Sequence, residues 1–195
     1  MQINDKPVCL LFGGNGQVGH ALSPWLAQDY AVHALLRNDC DVADGGAIKA
    51  IIADMRPAVI INATAYNAVD NAEAEPEAAF AINRDAVAAM AEGARAAGST
   101  FVHYSTDYVF DGRGSAPYRE SDSPNPLNAY ARSKLAGEQA VQTILCEAHP
   151  YWIIRTSWVF GPHGHNFMRS IMRLAGERDS LDVVDDQIGA PTASS

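Results

Sequence analysis

Basic charge is scarce in this chain. Lysine and arginine together number 14 against 23 aspartates and glutamates, giving a formal net charge of −9 and a pI near 5.0. Such a balance argues against nucleic acid or an anionic membrane as partner, because either needs a basic face. A small anionic ligand held by local donors stays compatible with it. Long apolar runs are also missing. The opening MQINDKPVCLLFGG is too short in hydrophobic residues for a signal peptide or a membrane span, and a glycine turn follows at once. The three cysteines, Cys9, Cys40 and Cys146, are odd in number and unpatterned, which excludes a disulfide framework. Cys9 lies in the apolar run VCLLF, where a small buried thiol fits. A reducing, cytoplasmic setting is the expectation. With 48% hydrophobic residues over 195 positions, the chain is long enough to bury a sizeable core as one globular domain.

Short apolar runs alternate with longer alanine-rich stretches. PVCLLF, YAVHALL, AVIINA, TFVHYS and YWIIRTSWVF are continuous in hydrophobicity and bounded by Gly, Pro, Asp or Asn, the pattern of strands buried on both faces. Between them the spacing predicts helices over 17–28, roughly 44–55, the long AEAEPEAAFAINRDAVAAMAEGARAAG stretch, 128–147 and 166–176. Strand and helix in alternation predict an α/β fold, a Rossmann-like doubly wound parallel sheet. LDVVDDQIGAPT reads as a further strand running into a turn, after which only ASS remains; on this reading the chain is a fragment. The polar loop 111–128, with prolines at 117, 124 and 126, either rims a site or is a plain surface excursion. Asn128 is placed to cap the helix that follows.

Gly13, Gly16 and Gly19 form a G-x-x-G-x-x-G pattern directly after a strand and directly before a helix, the context a dinucleotide pyrophosphate site requires. Gly13 supplies the turn, Gly16 lets the backbone approach the phosphates, and Gly19 lets the helix pack closely on the strand. The N–H groups of Gln17 and Val18 then meet the anion at the positive helix end. After the second strand comes LLRNDCD. Either Asp39 or Asp41 can accept from a ribose hydroxyl or an adenine amine, and Arg37 can pair with a 2′-phosphate. NADPH is the favoured cofactor, with NADH as the alternative.

Tyr130 and Lys134 stand four apart in NPLNAYARSKLAGEQA, so a helix puts them on one face, with Cβ atoms about 5–6 Å apart. An ammonium beside a phenol pulls its acidity from the usual value near pH ~10 towards neutrality, where a general acid works best. With three lysines, Lys6, Lys49 and Lys134, against seven tyrosines, chance produces such a pair roughly 0.1 times. Upstream, TFVHYS runs into Ser105, Thr106, Asp107 and Tyr108 at the carboxyl edge of a strand, where open α/β sheets bind ligands. Thr106 or Ser105 there can donate to a carbonyl becoming an alkoxide; one donor of this kind is worth about 2.7–4 kcal/mol of barrier.

Through LLFGGNGQVG, INATAYNAVDNAEAEPE, HYSTDYVFDG, NPLNAYARSKLAGE, IIRTSWVFGPHGHNF and DQIGAPT, nearly the whole chain resembles the extended short-chain dehydrogenase/reductase family and, within it, the dTDP-4-dehydrorhamnose reductases. The resemblance implies Thr106, Tyr130 and Lys134 as the catalytic trio. It places Asn62, Ala63 and Ala65 along the cofactor, and Val69, Asp107 and Trp158 beside the sugar. It implies reduction of the C4 ketone of a nucleotide sugar, dTDP-4-dehydro-L-rhamnose, in dTDP-L-rhamnose synthesis. Residues 1–195 are then an NAD(P)-binding domain with the beginning of a substrate lobe near 156–180, relatives running about a hundred residues further. A homodimer is admitted rather than required. Some relatives bind magnesium through glutamates at a dimer interface, but no equivalent set is placed here. No metal is assigned, and the pair His163 and His165 lacks a third ligand. Two rivals stand beside reduction. One is a nucleotide-sugar dehydratase or epimerase, against which Tyr108 counts, since dehydratases resembling this chain carry Glu there. The other is a silent dinucleotide-binding subunit, such as the regulatory subunit of methionine adenosyltransferase.

Overall fold

VCLLF forms the first strand, β1 (Val8–Phe12), and its alternate residues pack on opposite faces of the sheet it centres. The computed structural model describes residues 6–194, so the expected domain span 1–195 extends beyond the described residues at both ends. In order follow α1 (Gln17–Leu26), β2 (Ala31–Leu35), α2 (Gly45–Met55), β3 (Val59–Asn62), α3 (Asn71–Ala74) and α4 (Pro76–Phe80). Then come α5 (Ala86–Ala97), β4 (Thr100–Thr106), α6 (Ala129–Leu145) and β5 (Tyr151–Thr156). Five strands pair in parallel in the order β2-β1-β3-β4-β5. The sheet is the predicted Rossmann-like α/β arrangement. Beyond it, β6 (Val159–Phe160), α7 (Phe167–Glu177) and β7 (Thr192–Ala193) complete the described chain, β6 and β7 pairing as a separate two-stranded ribbon.

Leu10, Phe12, Ile60 and Phe101 on one face meet Ile48 and Ile52 of α2, Met90 of α5, and Val141 and Leu145 of α6. Cys9, Leu11 and Ile61 on the other face meet Leu22 and Leu26 of α1. Coverage of both faces does not reach the last strand: Trp152 is 66% exposed and Ile154 is also open, so β5 alternates as an edge strand does. Polar caps set the helix starts. Asp44 accepts from the amides of Gly46 and Ala47 at 2.9 and 3.0 Å, and Asn128 accepts from that of Ala131 at 2.7 Å, as its position predicts. No helix among the described residues is long and apolar enough to cross a membrane.

Three sequence expectations are corrected. The alanine-rich stretch is not one helix. It breaks at Glu75, because Pro76 has no N–H to continue the ladder, and it passes through a π-helical turn over Ala81–Asp85. YWIIRTSWVF is two strands in different sheets, separated where Trp158 takes φ +46°. LDVV is not a strand: Val183 and Val184 are exposed, and no ladder pairs them, so the alternative to solvation of their backbone is missing. The loop 111–128 lines neither of the two cavities described below. It is held by Asp111, which accepts from Tyr118 and Asn125 at 3.0 Å each, and by stacking of Tyr118 on Phe110.

Candidate active site

The glycine loop bends where β1 meets α1. Gly13 has φ +85°, and a Cβ there would lie 2.8 Å from the Ala63 carbonyl oxygen, so only glycine fits. A Cβ on Gly19 would strike the Gly13 carbonyl, and it would approach Gly14 Cα to 2.9 Å; the helix sits that close to the loop. On Gly16, by contrast, a Cβ meets only the Gly13 carbonyl oxygen, at 3.3 Å. Helix α1 starts here without a side-chain cap, leaving the Gln17 and Val18 amides at its start unengaged by any such group. An uncapped helix end with room for a ligand at Gly16 fits a pyrophosphate. The Gln17 side chain turns elsewhere, donating to the His165 carbonyl at 3.0 Å and accepting from Asn166 at 2.9 Å.

Beside the loop lies a cavity of about 470 Å³ whose wall includes Gly13, Leu35, Arg37, Asp41, Val42 and Ile82. Asp39 and Asp41 each accept a nearby backbone amide, Asp41 from Ala43 at 3.0 Å, and differ in whether they line this cavity. Asp39 accepts from the Leu36 amide at 2.8 Å and is absent from the wall, whereas Asp41 belongs to it. A second cavity, of about 360 Å³, brings together Val18, Ala63, Ala65, Val69, Thr106, Asp107, Tyr130, Lys134 and Trp158. Thr64 and Ala65 border both cavities, so the two adjoin along the end of β3. Asn62 is outside either wall. Its buried side chain accepts from the amide and hydroxyl of Thr64 at 2.9 and 2.6 Å and contacts His103 Nδ1 at 3.2 Å, so it shapes the turn from beneath.

Tyr130 lies in the first turn of α6, packed against the cluster of Ala72, Ala79 and Ala129 and met edge-on by Tyr108 with centroids 5.9 Å apart. The helix start is fixed twice, by Asn128 and by the Glu73 carboxylate, which accepts from the Ala129 amide at 2.5 Å. Thr106 Oγ1 donates to Asp107 at 3.2 Å and accepts from the Tyr108 amide at 3.2 Å. Burial pushes the Asp107 carboxyl up from its ordinary range, with the Thr106 bond opposing.

The expected effect of Lys134 on Tyr130 needs correction. Burial pushes the Tyr130 phenol up, Asp107 and Tyr108 add to this, and only the Thr106 hydroxyl pulls the other way. The Lys134 ammonium is turned instead onto the Tyr104 carbonyl, 2.7 Å away. Burial lowers its own value from 10.5 to about 8, with the Glu138 carboxylate opposing. A phenol held in its acid form is what a proton donor needs, and the amine is poised to change charge in mildly alkaline solution.

Sequence reasoning left out what lies under this wall. Ser105 donates to Glu138 at 2.5 Å, Arg155 grips the same carboxylate, and Asn83 of the π-helical turn bonds Tyr66 and Ser133. Glu138 was within reach of a local signal, since it falls on the stripe of Tyr130 and Lys134 one turn further on. Among the described residues no three His, Cys, Asp or Glu side chains are grouped to hold a metal ion; His163 stacks on His20.

The RmlD substrate binding domain family matches residues 8–195. The chain is 46% identical over 184 residues to the dTDP-4-dehydrorhamnose reductase of Burkholderia thailandensis, covering 94% of this chain and 60% of that protein. To the dTDP-4-dehydrorhamnose reductase of Salmonella typhimurium it is 46% identical over 189 residues, 95% of this chain and 62% of that one. Among solved structures it is similar to a dTDP-4-dehydrorhamnose reductase from Bacillus anthracis in complex with NADP, with a TM-score of 0.92 and 37% identity over 97% of this chain and 66% of that one. The chain thus spans about 60% of the length of the curated relatives it matches.

Proposed function

This chain belongs to the RmlD substrate binding domain family, and on that premise we propose that it serves the NADPH-dependent reduction of the C4 ketone of dTDP-4-dehydro-L-rhamnose to dTDP-L-rhamnose. The observation that carries this reading is the meeting of two cavities at Thr64 and Ala65, one walled by the glycine loop and Arg37, the other by Thr106, Tyr130 and Lys134. An extended dinucleotide suits such a pair, its adenosine end in the first and its nicotinamide in the second. The relative solved with NADP and the reductase relatives support the same assignment.

In this reading Gly13, Gly16 and Gly19, with the amides of Gln17 and Val18, hold the pyrophosphate. Arg37 faces the 2′-phosphate and Asp41 a ribose hydroxyl; NADH binds the same groove without the Arg37 contact. Asn62 shapes the turn that lays Ala63 and Ala65 along the dinucleotide. The nicotinamide, when bound, supplies a hydride to the ketone carbon. Val69, Asp107 and Trp158 orient the sugar so that its carbonyl oxygen lies towards Thr106 and Tyr130. Thr106 donates a hydrogen bond to that oxygen as negative charge grows on it. Tyr130 delivers the proton, which its upward-shifted pKa keeps on the hydroxyl at neutral pH. Lys134 holds positive charge beneath the pair and reaches the nicotinamide ribose.

Tyr130→Phe keeps the ring packing against Ala72 and Ala79 and removes only the hydroxyl. Turnover, followed as loss of NADPH absorbance with the 4-keto nucleotide sugar, falls about 10²–10⁴-fold, while NADPH affinity measured by fluorescence titration stays within error. Undiminished turnover in this variant, or no affinity for NADPH in the parent, refutes the reading.

A further inference from the structure

Helix α6 grips the end of β4 through three successive turns. Tyr130 stands at Thr106 in the cavity wall, Lys134 Nζ donates to the Tyr104 carbonyl at 2.7 Å, and Glu138 Oε1 accepts from Ser105 Oγ at 2.5 Å. Glu138 is only 1% exposed, yet both of its carboxylate oxygens accept hydrogen bonds. Arg155 Nε lies 3.0 Å from Oε1, and Arg155 Nη2 lies 2.6 Å from Oε2. Arg155 is itself the β5 residue in register with Ser105, and its guanidinium sits 4.9 Å over the Phe110 ring. A buried ion pair of this kind seldom stabilises a fold more than apolar residues of the same volume would. Its presence one turn below Lys134 asks for another reason.

We propose that Glu138, clamped by Arg155, is a positioning residue for the proton-donating pair: it fixes the strand end on which Thr106 and the Lys134 contact depend, and it supplies the negative charge facing the buried ammonium. This rests on the reading of Tyr130 and Lys134 given above. The charged and titratable groups around Lys134 are few. Glu138 and Tyr130 lie on its own helix, His103 and Tyr104 on β4, Asp107 and Tyr108 just past that strand, and Arg155 behind Glu138 on β5. His103 is wholly buried and held well below its ordinary value by that burial and then by Lys134, so it stays neutral. Asp107 faces the Tyr130 side of the cavity. Glu138 is therefore the anion on the inner side of the ammonium, although no direct ion pair joins the two among the described contacts. In so buried a place charges act over several ångströms with little screening. Arg155 carries the opposite charge to Glu138, so by charge alone loss of either is expected to move Lys134 in opposite directions.

Their opposition makes the test. The chain has three lysines, so lysine-selective ¹³C labelling gives three side-chain signals, and Lys134→Met identifies the one that matters. Lys6, bonded to the Ala27 and Gln28 carbonyls, and Lys49, paired with Glu92, act as internal references. In Glu138→Gln the titration midpoint of Lys134 falls by about one unit or more, and in Arg155→Met it rises, the references staying fixed. Glu138→Asp, which keeps the charge, restores most of the midpoint. An unchanged Lys134 midpoint in either folded variant overturns the proposal. Loss of fold in one leaves the other, of opposite sign, to decide. The pH profile of ketone reduction in Glu138→Gln should move with the midpoint. If the parent reduces no ketone, the proposed substrate is wrong, and the NMR titration still judges Glu138.

Discussion

Lys134 changes charge in the range where assays are run. Its folded value is about 8 against an ordinary 10.5, so between these two values the unfolded chain carries the proton and the folded chain does not. Stability from this group consequently rises with pH across that window, by on the order of 3 kcal/mol in full. Urea unfolding of the parent and of Lys134→Met without added nucleotide checks this. The variant is favoured most below pH 8, and its advantage shrinks towards pH 10.5; a constant difference contradicts the burial account. Arg37→Ala is expected to weaken NADPH more than NADH, and equal losses would remove Arg37 from the 2′-phosphate. The spacing of Tyr130 and Lys134 was legible because it is local to one helix. Glu138 shares that stripe, but its partners Ser105 and Arg155 are 33 and 17 residues away, and only the register of β4 with β5 brings them together. The contact of Lys134 with the Tyr104 carbonyl, 30 residues away, likewise depends on the packing of α6 against β4 and has no local signal.

Elements differ in how far their own residues decide them. The first strand, the glycine turn and α6 were readable because apolar runs, a turn glycine and the Asn128 cap act within a few residues. The alanine-rich stretch was not. Its π-helical turn carries Asn83 inward, and Gly137 of α6 comes so close that a Cβ there would strike the Asn83 carbonyl. That irregularity exists to meet another helix, and composition is silent about it. The glycine loop yields a sharper contrast. Gly16→Val puts a side chain where a pyrophosphate would approach, with only the Gly13 carbonyl oxygen against its Cβ at 3.3 Å, so the chain stays folded while NADPH affinity is lost. Gly19→Val drives a side chain into Gly13 and Gly14, so it loses stability by several kcal/mol as well. Thermal unfolding with NADPH titration separates the two. Equal melting points would mean that the close helix contact at Gly19 is unimportant.

Across the whole molecule, the sheet order puts the ends of β1, β3 and β4 side by side, and the two cavities open along that edge. Strand alternation alone foretold this edge as the place for a ligand. It did not foretell that β5 leaves Trp152 open, or that residues 181–184 run without a partner strand, because both depend on what packs beside them. The central proposal is that a nicotinamide in the cavity walled by Thr106, Tyr130 and Lys134 hands hydride to a ketone carbon while Tyr130 protonates the oxygen. It is tested most directly with NADPH carrying deuterium at the transferable position, incubated with the 195-residue chain and dTDP-4-dehydro-L-rhamnose, and the sugar examined by mass spectrometry and NMR. The account predicts deuterium at C4 of the sugar, formed by the parent and about 10²–10⁴-fold more slowly by Tyr130→Phe. Unlabelled sugar from a parent that binds NADPH, or label appearing equally fast without the Tyr130 hydroxyl, would contradict it.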